Sequence, residues 1–298
     1  MLRGDVASNP ESKHAWPVRG TTDPIVFATD FGLGNEWVGM CHAVMSRIAP
    51  QSPIVDLSHL IRPLNVPAGA LLLADSLPYL AEEAVVVAVV EPNVGKDRDI
   101  AVEAASGRRL VGPDNGLLSL AWDALGGVRR AVEITSEEII LQPVAPSLHA
   151  RDVLCPAAAH LAAGRELGEL GQPLEPESLT GLKIAEPEVE AGRIRCEVVD
   201  LNRFGNIQLN VREAHFAGAG LDHEADLGVE AASQSVHAKY GSTYADFEAG
   251  EYGVMFDPRG WLIVVRGNPA SAFEGLGLQI GDPVWLSDPA SMSERLTS

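Results

Sequence analysis

Residues 84–92 read AVVVAVVEP: seven apolar residues, five of them valine, stopped by an acid and a proline. β-Branched side chains favour a pleated strand, and apolar residues at both odd and even positions mean that both of its faces leave water. Such a segment belongs in the middle of a sheet covered on both sides, which excludes an all-helical or half-solvated fold for this part of the chain. The continuation sets a chemical question. In VVVAVVEPNVGKDR the buried strand ends by presenting a carboxylate, Glu91, with a guanidinium, Arg98, seven residues later.

Neighbouring segments repeat the pattern. PIVFATDFG (24–32), SPIVDLSH (52–59) and RRLVGPDNG (108–116) read as strands closed by turns. EWVGMCHAVMSRIAP (36–50), VPAGALLLADSLPYL (66–80) and DVLCPAAAHLAAG (152–164) read as helices, the last ending at glycine. Apolar strands separated by helices predict a three-layer α/β domain with a mostly parallel sheet over residues 25–170. Residues 171–188, GQPLEPESLTGLKIAEPE, carry three prolines and little periodicity, and read as a linker. Beyond it RIRCEVVDLNRFGNIQLNV, EYGVMFDPRGWLIVVRGN and DPVWLS are strands parted by glycine-rich turns, without long helices. They predict a smaller, all-β, barrel-like domain over 189–298, with the polar stretch 215–235 as a loop. Residues 1–24 have no signal-peptide core and read as a flexible tail.

Composition restricts the partners. Forty-one acids against 22 lysines and arginines give a net charge of −19, which repels phosphate backbones and anionic lipid, so no nucleic acid or membrane partner is expected. No apolar run approaches transmembrane length. Cys41, Cys155 and Cys196 are far apart in sequence and form no CxxC pair, which suits a reducing cytoplasm and argues against a disulfide framework or a structural zinc.

In an open α/β sheet, ligands bind beyond the carboxyl ends of the strands. Asp30, Asp56, His59, Glu91, Asp114 and Asn115 all follow apolar runs, while His149, Arg151 and Asp152 precede a helix in SLHARDVL. Each has a plain structural reading. A lone Asp at a strand end is commonly a turn former or cap, GPDNG is an ordinary turn, and Arg151 and Asp152 make a surface pair. Asp30, His42, His59 and His149 invite a metal, but no HxH, HExxH or comparable spacing is present, and no metal is expected. GLGNEWVG is not a GxGxxG fingerprint, so no dinucleotide cofactor is expected either.

Together these segments carry more. TDFG, VVEPNVGKDR, GPDNGLL, LHARD, RFGNIQLN and GLQIGDPVWL, in this order from residue 25 to about 287, resemble the S-adenosyl-L-methionine hydroxide adenosyltransferases, relatives of the fluorinase and chlorinase. The resemblance implies an α/β domain followed by a β-barrel. It also implies a homotrimer with active sites between the first domain of one subunit and the second domain of its neighbour. Its implied reaction is attack of a water-derived hydroxide on C5′ of S-adenosyl-L-methionine, giving adenosine and L-methionine, without a cofactor. The sulfonium leaves readily, so the site must aim an oxygen nucleophile in line with the C5′–S bond and exclude bulk water. The family's catalytic acid, arginine and histidine fall on Glu91, Arg98 and His149. The resemblance further implies Asp30 on the ribose hydroxyls, Asn206 on the methionine amino-acid group, and Arg259 near the barrel's ligand-contacting segment.

The sequence departs from the family pattern around this pocket. VEPNVG stands where VDPGVG is usual, so Glu91 adds a methylene and Asn93 replaces a glycine, asparagine being the side chain that best tolerates positive φ. NRFGN places the neutral Asn202 where an acid usually meets the methionine ammonium, with Asp200 as a substitute if the strand is bulged. Leu64 and Asn65 stand where an aromatic residue and an aspartate are common, which weakens one stacking wall. Two other readings therefore stay open: a relative acting on another 5′-activated adenosine compound or with another nucleophile, including halide, and a non-catalytic nucleoside-binding protein.

Overall fold

A computed structural model describes residues 22–221, 226–231 and 234–288; most of the tail expected over 1–24 lies outside the described residues. The first half of the chain runs β1 (Ile25–Thr29), α1 (Trp37–Ile48), β2 (Ile54–Ser58), α2 (Val66–Ser76), β3 (Val85–Val89), β4 (Asp99–Ala104), β5 (Arg109–Pro113), α3 (Ser119–Ala124), β6 (Val128–Ile134), a single π turn (Ala150–Leu154), α4 (Cys155–Ala162) and β7 (Gly171–Leu174). The second half runs β8 (Glu188–Glu190), β9 (Arg193–Leu201), β10 (Ile207–Arg212), α5 (Glu213–Ala219), β11 (Leu227–Glu230), β12 (Ser235–Tyr240), β13 (Tyr252–Phe256), β14 (Trp261–Arg266), α6 (Ala272–Leu276) and β15 (Pro283–Ser287).

The valine run is central, as its two-sided apolarity requires. The first sheet has the order β2-β1-β3-β5-β4-β6-β7, with β2, β1, β3 and β5 paired in parallel and β4 and β7 antiparallel to their neighbours. Val85, Val87 and Val89 of β3 point to one core, shared with Cys41 and Met45 of α1 and the alanines of α4. Val86, Ala88 and Val90 point to the opposite core, shared with Leu73 of α2 and Trp122 of α3. The α/β domain thus has helices on both faces of the sheet. The expected linker begins inside this sheet, because β7 pairs with β6.

The second domain is a closed barrel. Strands β10-β14-β13-β12-β11-β15-β9 form a ring that the β9–β10 pairing closes, and β8 adds to β9 outside it. Its core is the inward set of Ile194, Cys196, Val198, Leu209, Val254, Val264, Val284 and Leu286. The stretch 215–235, expected as a loop, carries most of α5 and all of β11. Leu227 and Val229 bury alternate side chains of β11 in the barrel, and Gly220 ends α5 in the left-handed conformation that a residue without Cβ adopts freely.

The two domains meet beside the C-terminal end of α2. Trp261 Nε1 donates to Asp75 Oδ2 at 2.9 Å, and the Arg212 guanidinium lies 3.3 Å over the Trp261 ring. No helix among the described residues is long and apolar enough to cross a membrane. Cys41, Cys155 and Cys196 are free thiols, all buried.

Candidate active site

The parallel strands deliver their reactive residues to one edge of the sheet. A cleft of about 510 Å³ opens there, lined by Asp30 and Phe31 after β1, Leu64 before α2, Val89 and Glu91 at the end of β3, and Ser147 to Ala150 leading into the π turn. Trp37, at the start of α1, meets Phe31 edge-to-face at 5.8 Å, so aromatic surface reaches this cleft from a side that the Leu64 substitution does not touch. Asp30 Oδ2 accepts the Leu64 N–H at 2.8 Å, one of the two carboxylate oxygens that this lining residue carries. Leu64 itself has φ of +65°, the one positive value among the described non-glycine residues, and Asn65 caps α2 by accepting the Ala68 N–H at 3.1 Å.

Glu91 is 6% exposed, and its buried Oε1 has no hydrogen-bond partner. Burial pushes its pKa up and the nearby Asp99 charge pushes the same way, against the pull of His149 and the Gly95 N–H. His149 directly precedes the π turn, and its Nδ1 lies 2.8 Å from Asp99 Oδ2. Asp99 is buried at the start of β4, and desolvation raises its pKa although His149 opposes it. The loop carrying His149 is held by Asp152, which accepts from the Ala145 N–H at 2.8 Å and pairs with Arg151 at 2.6 Å. The pair is therefore not the surface pair expected from the sequence: Asp152 is 2% exposed, and only Arg151 reaches solvent.

The other predicted residues lie elsewhere. Arg98 is turned away from the cleft: it pairs with Asp114 and donates to the Ser178 carbonyl at 2.7 Å, tying the PNVGKD loop to the segment that leads to the barrel. Asn93 is exposed in that loop and does not have positive φ; the left-handed position is Gly95, at +76°. Asn115 donates to the Val90 carbonyl, the structural reading of GPDNG.

Asn202, Asn206 and Arg259 line a second, smaller hollow of about 170 Å³ on the barrel, together with Asp200, Gln208, Tyr244 and Asp257. Asn202 spends its Oδ1 on the Phe204 and Asn206 amides, fixing the turn, while the buried Asn206 points Nδ2 to the Tyr244 hydroxyl at 3.1 Å. Arg259 donates to Asp257 Oδ2 and, at 2.7 Å, to Gln208 Oε1. Asp200 lines the same hollow, next to a register shift between β9 and β10 that leaves Val199 as the extra residue. Arg259 also approaches Asp75 at 3.8 Å, near the far end of α2 from Leu64.

Asp99 is the site residue that sequence reasoning missed. Its only local signal is its place beside Arg98 in KDRDI, and its partner arrives fifty residues later.

Two family signatures cover most of the molecule: the SAM hydroxide adenosyltransferase N-terminal domain matches residues 25–171 and the corresponding C-terminal domain matches 196–285. The chain belongs to the SAM hydroxide adenosyltransferase family. It is 39% identical over 260 residues to a protein of Salinispora tropica named (R)-S-adenosyl-L-methionine hydrolase, covering 87% of this chain and 95% of that one. A protein of the same name from Thermus thermophilus is 36% identical over 277 residues, covering 88% and 99%. Fluorinases match at 25–26% identity. Among solved structures, an uncharacterized conserved protein from Thermotoga maritima superposes with a TM-score of 0.80 at 30% identity, covering 88% of this chain and 99% of that one. Within this adenosyltransferase fold, the cleft of the α/β domain is where the acid and the histidine converge.

Proposed function

We propose that this chain hydrolyses S-adenosyl-L-methionine, of the same (R) configuration as its named relatives, to adenosine and L-methionine. The observation that carries the reading is the convergence of Glu91 and His149 in the cleft beside Asp30, within a chain 36–39% identical to the named hydrolases. In the reaction the water oxygen bonds to C5′ as the C5′–S bond breaks. Its electron pair passes to sulfur, which leaves as the neutral thioether of methionine. The water proton goes to the protein.

The Asp99 carboxylate, accepting from Nδ1–H of His149, keeps the lone pair on Nε2, the ring nitrogen free to take a proton in the cleft. Glu91 presents an unpartnered oxygen in a poorly solvated place, which suits it to hold and polarise one water. Asp30 takes the ribose diol. Arg98 acts by fixing the loop between Glu91 and Asp99 and by its positive charge, from its station on Asp114. Asn206, Arg259 and Asp200 of the barrel hollow receive the methionine end, contributed by a neighbouring copy in a homotrimer. No cofactor takes part, because the sulfonium already provides the leaving group. The proposed compartment is the cytoplasm, in keeping with three unpaired buried thiols.

The test is turnover of S-adenosyl-L-methionine in ¹⁸O-water, with products resolved by mass. Adenosine bearing one heavy oxygen at C5′, absent with His149→Ala, is the expected result. A nucleoside without label, or ligand binding without any adenosine, overturns the reading.

A further inference from the structure

A second cluster of ionisable groups lies behind the wall of the cleft and takes no part in the reaction above. His42 Nε2 lies 2.7 Å from Asp56 Oδ1, and His59 Nε2 lies 3.0 Å from the same oxygen. All three atoms fall within 4.8 Å of one another. His59 is 4% exposed, and its Nε2 approaches Asp56 off the direction a hydrogen bond needs, so this buried nitrogen is left without one. Its other nitrogen, Nδ1, is 2.9 Å from Thr29 Oγ1. The Thr29 hydroxyl oxygen also accepts the Phe31 N–H, which leaves the ring's Nδ1 oriented and its Nε2 aimed at the cluster.

The fold builds this arrangement deliberately in two steps. Strict alternation along β2 would put Asp56 and His59 on opposite faces. The register between β1 and β2 instead shifts, with Phe27 opposite Asp56 but Ala28 opposite Ser58, and the extra residue returns both side chains to one face. That face is the one covered by α1, whose His42 comes down onto it. The fully buried Phe27 ring holds both imidazoles, at 6.0 Å from His42 and 4.8 Å from His59.

We propose that His42, Asp56 and His59 form a binding site for a borderline divalent transition-metal ion, of which Zn²⁺ is the type. Two imidazoles and one carboxylate are the donor set such ions prefer, and a hard ion such as Mg²⁺ or Ca²⁺ finds too few oxygens here. Ligand atoms around tetrahedral zinc stand about 3.3 Å apart, so the 2.7 and 3.0 Å separations from Asp56 need to open by roughly half an ångström, while the two imidazole nitrogens, which lie within 4.8 Å of each other, settle at the same spacing. Thr29 serves as the outer partner that orients a metal-bound imidazole. His42 and Asp56 are partly exposed, so an ion can enter from solvent and the remaining coordination positions stay open to water. The competing occupant is a proton shared along a His–Asp–His chain. Because Thr29 connects His59 to Phe31 and precedes Asp30, the ion stiffens the cleft floor without touching substrate.

The experiment uses the untagged full chain, stripped with chelator and dialysed. It is titrated with Zn²⁺ by calorimetry and with Co²⁺ by visible absorption, and melting temperature is followed in parallel. One ion per chain, a raised melting temperature and the intense absorption of tetrahedral Co²⁺ are expected. His42→Gln and Asp56→Asn should each weaken binding by about tenfold or more, while His237→Gln on β12 leaves it unchanged. Should either variant melt early without metal, the other and the wild-type Co²⁺ spectrum still decide. Absence of saturable one-to-one binding, octahedral Co²⁺ alone, or undiminished affinity in a folded His42→Gln protein overturns the site.

Discussion

Glu91 and Asp99 are carboxylates kept where their charge is poorly solvated, and this has opposite consequences for stability and turnover. A buried acid whose pKa rises on folding binds its proton more tightly folded than unfolded, so it favours folding on the acid side. That advantage is lost as pH climbs through the raised value, and the charge Glu91 then takes up, poorly solvated and with Oε1 unpartnered, is a burden on the fold. Glu91→Gln, nearly isosteric and neutral, should therefore raise the melting temperature by about 2 °C, the size of a 1 kcal/mol gain in a chain of this length. The same change should lower kcat by about a hundredfold or more. A lower melting temperature for this variant contradicts the account. At Asp99, replacement by Asn removes the group that sets the proton on His149 Nδ1, and kcat should fall by about a hundredfold with KM little changed. The double variant with His149→Ala should be no worse than His149→Ala alone, since both remove one function. In the wild type, the acid limb of kcat/KM should lie above the ordinary carboxylate range, because burial raises both pKa values.

At the scale of elements, the chain's legibility follows its apolar pattern. β1, β3 and β5 could be read directly, because both of their faces are apolar and buried. β4, DIAVEA, could not: its two acids break the run, yet Asp99 and Glu103 are both buried in the structure. Their compensation comes from His149 and from Arg129 and Arg130, all distant in sequence, so no local window reveals that the acids are affordable there. The His42–Asp56–His59 grouping was hidden for a related reason, since a register shift and a separate helix bring together what spacing keeps apart. The segment between β2 and α2 gives a test of backbone rather than side chain. Leu64 is 60% exposed, so a change there ordinarily matters little. Its positive φ reverses that expectation: a β-branched residue is strained in this region, and glycine is at ease. Leu64→Val should lower stability by about 1 kcal/mol or more, whereas Leu64→Gly should be neutral or better, both read by chemical denaturation. Equal, small effects from the two would mean that the conformation is not held.

At the scale of the whole molecule, the decisive fact is that one chain carries two separated hollows. The α/β cleft contains Asp30, Glu91 and His149, and the barrel hollow contains Asp200, Asn206 and Arg259. The bond from Trp261 to Asp75 and the Arg212 stack hold the barrel against the C-terminal end of α2, while Leu64 and the cleft lie at its other end. The proposed substrate has an adenosine end suited to the first hollow and an amino-acid end suited to the second. Two neighbouring copies related by a closed rotation can bring the cleft of one to the barrel of the next. This arrangement predicts complementation. His149→Ala inactivates the cleft and Arg259→Ala impairs the barrel hollow, so each homo-oligomer alone should be nearly inactive. Co-expressed in equal amounts, the two chains mix at random, and about a quarter of the sites then join an intact cleft to an intact barrel hollow. Turnover per site should recover toward that fraction of wild type, and the mixed oligomer should run as a trimer by light scattering. If each site were built within one chain, no mixture could contain an intact one, and co-expression would leave activity at the level of the separate variants.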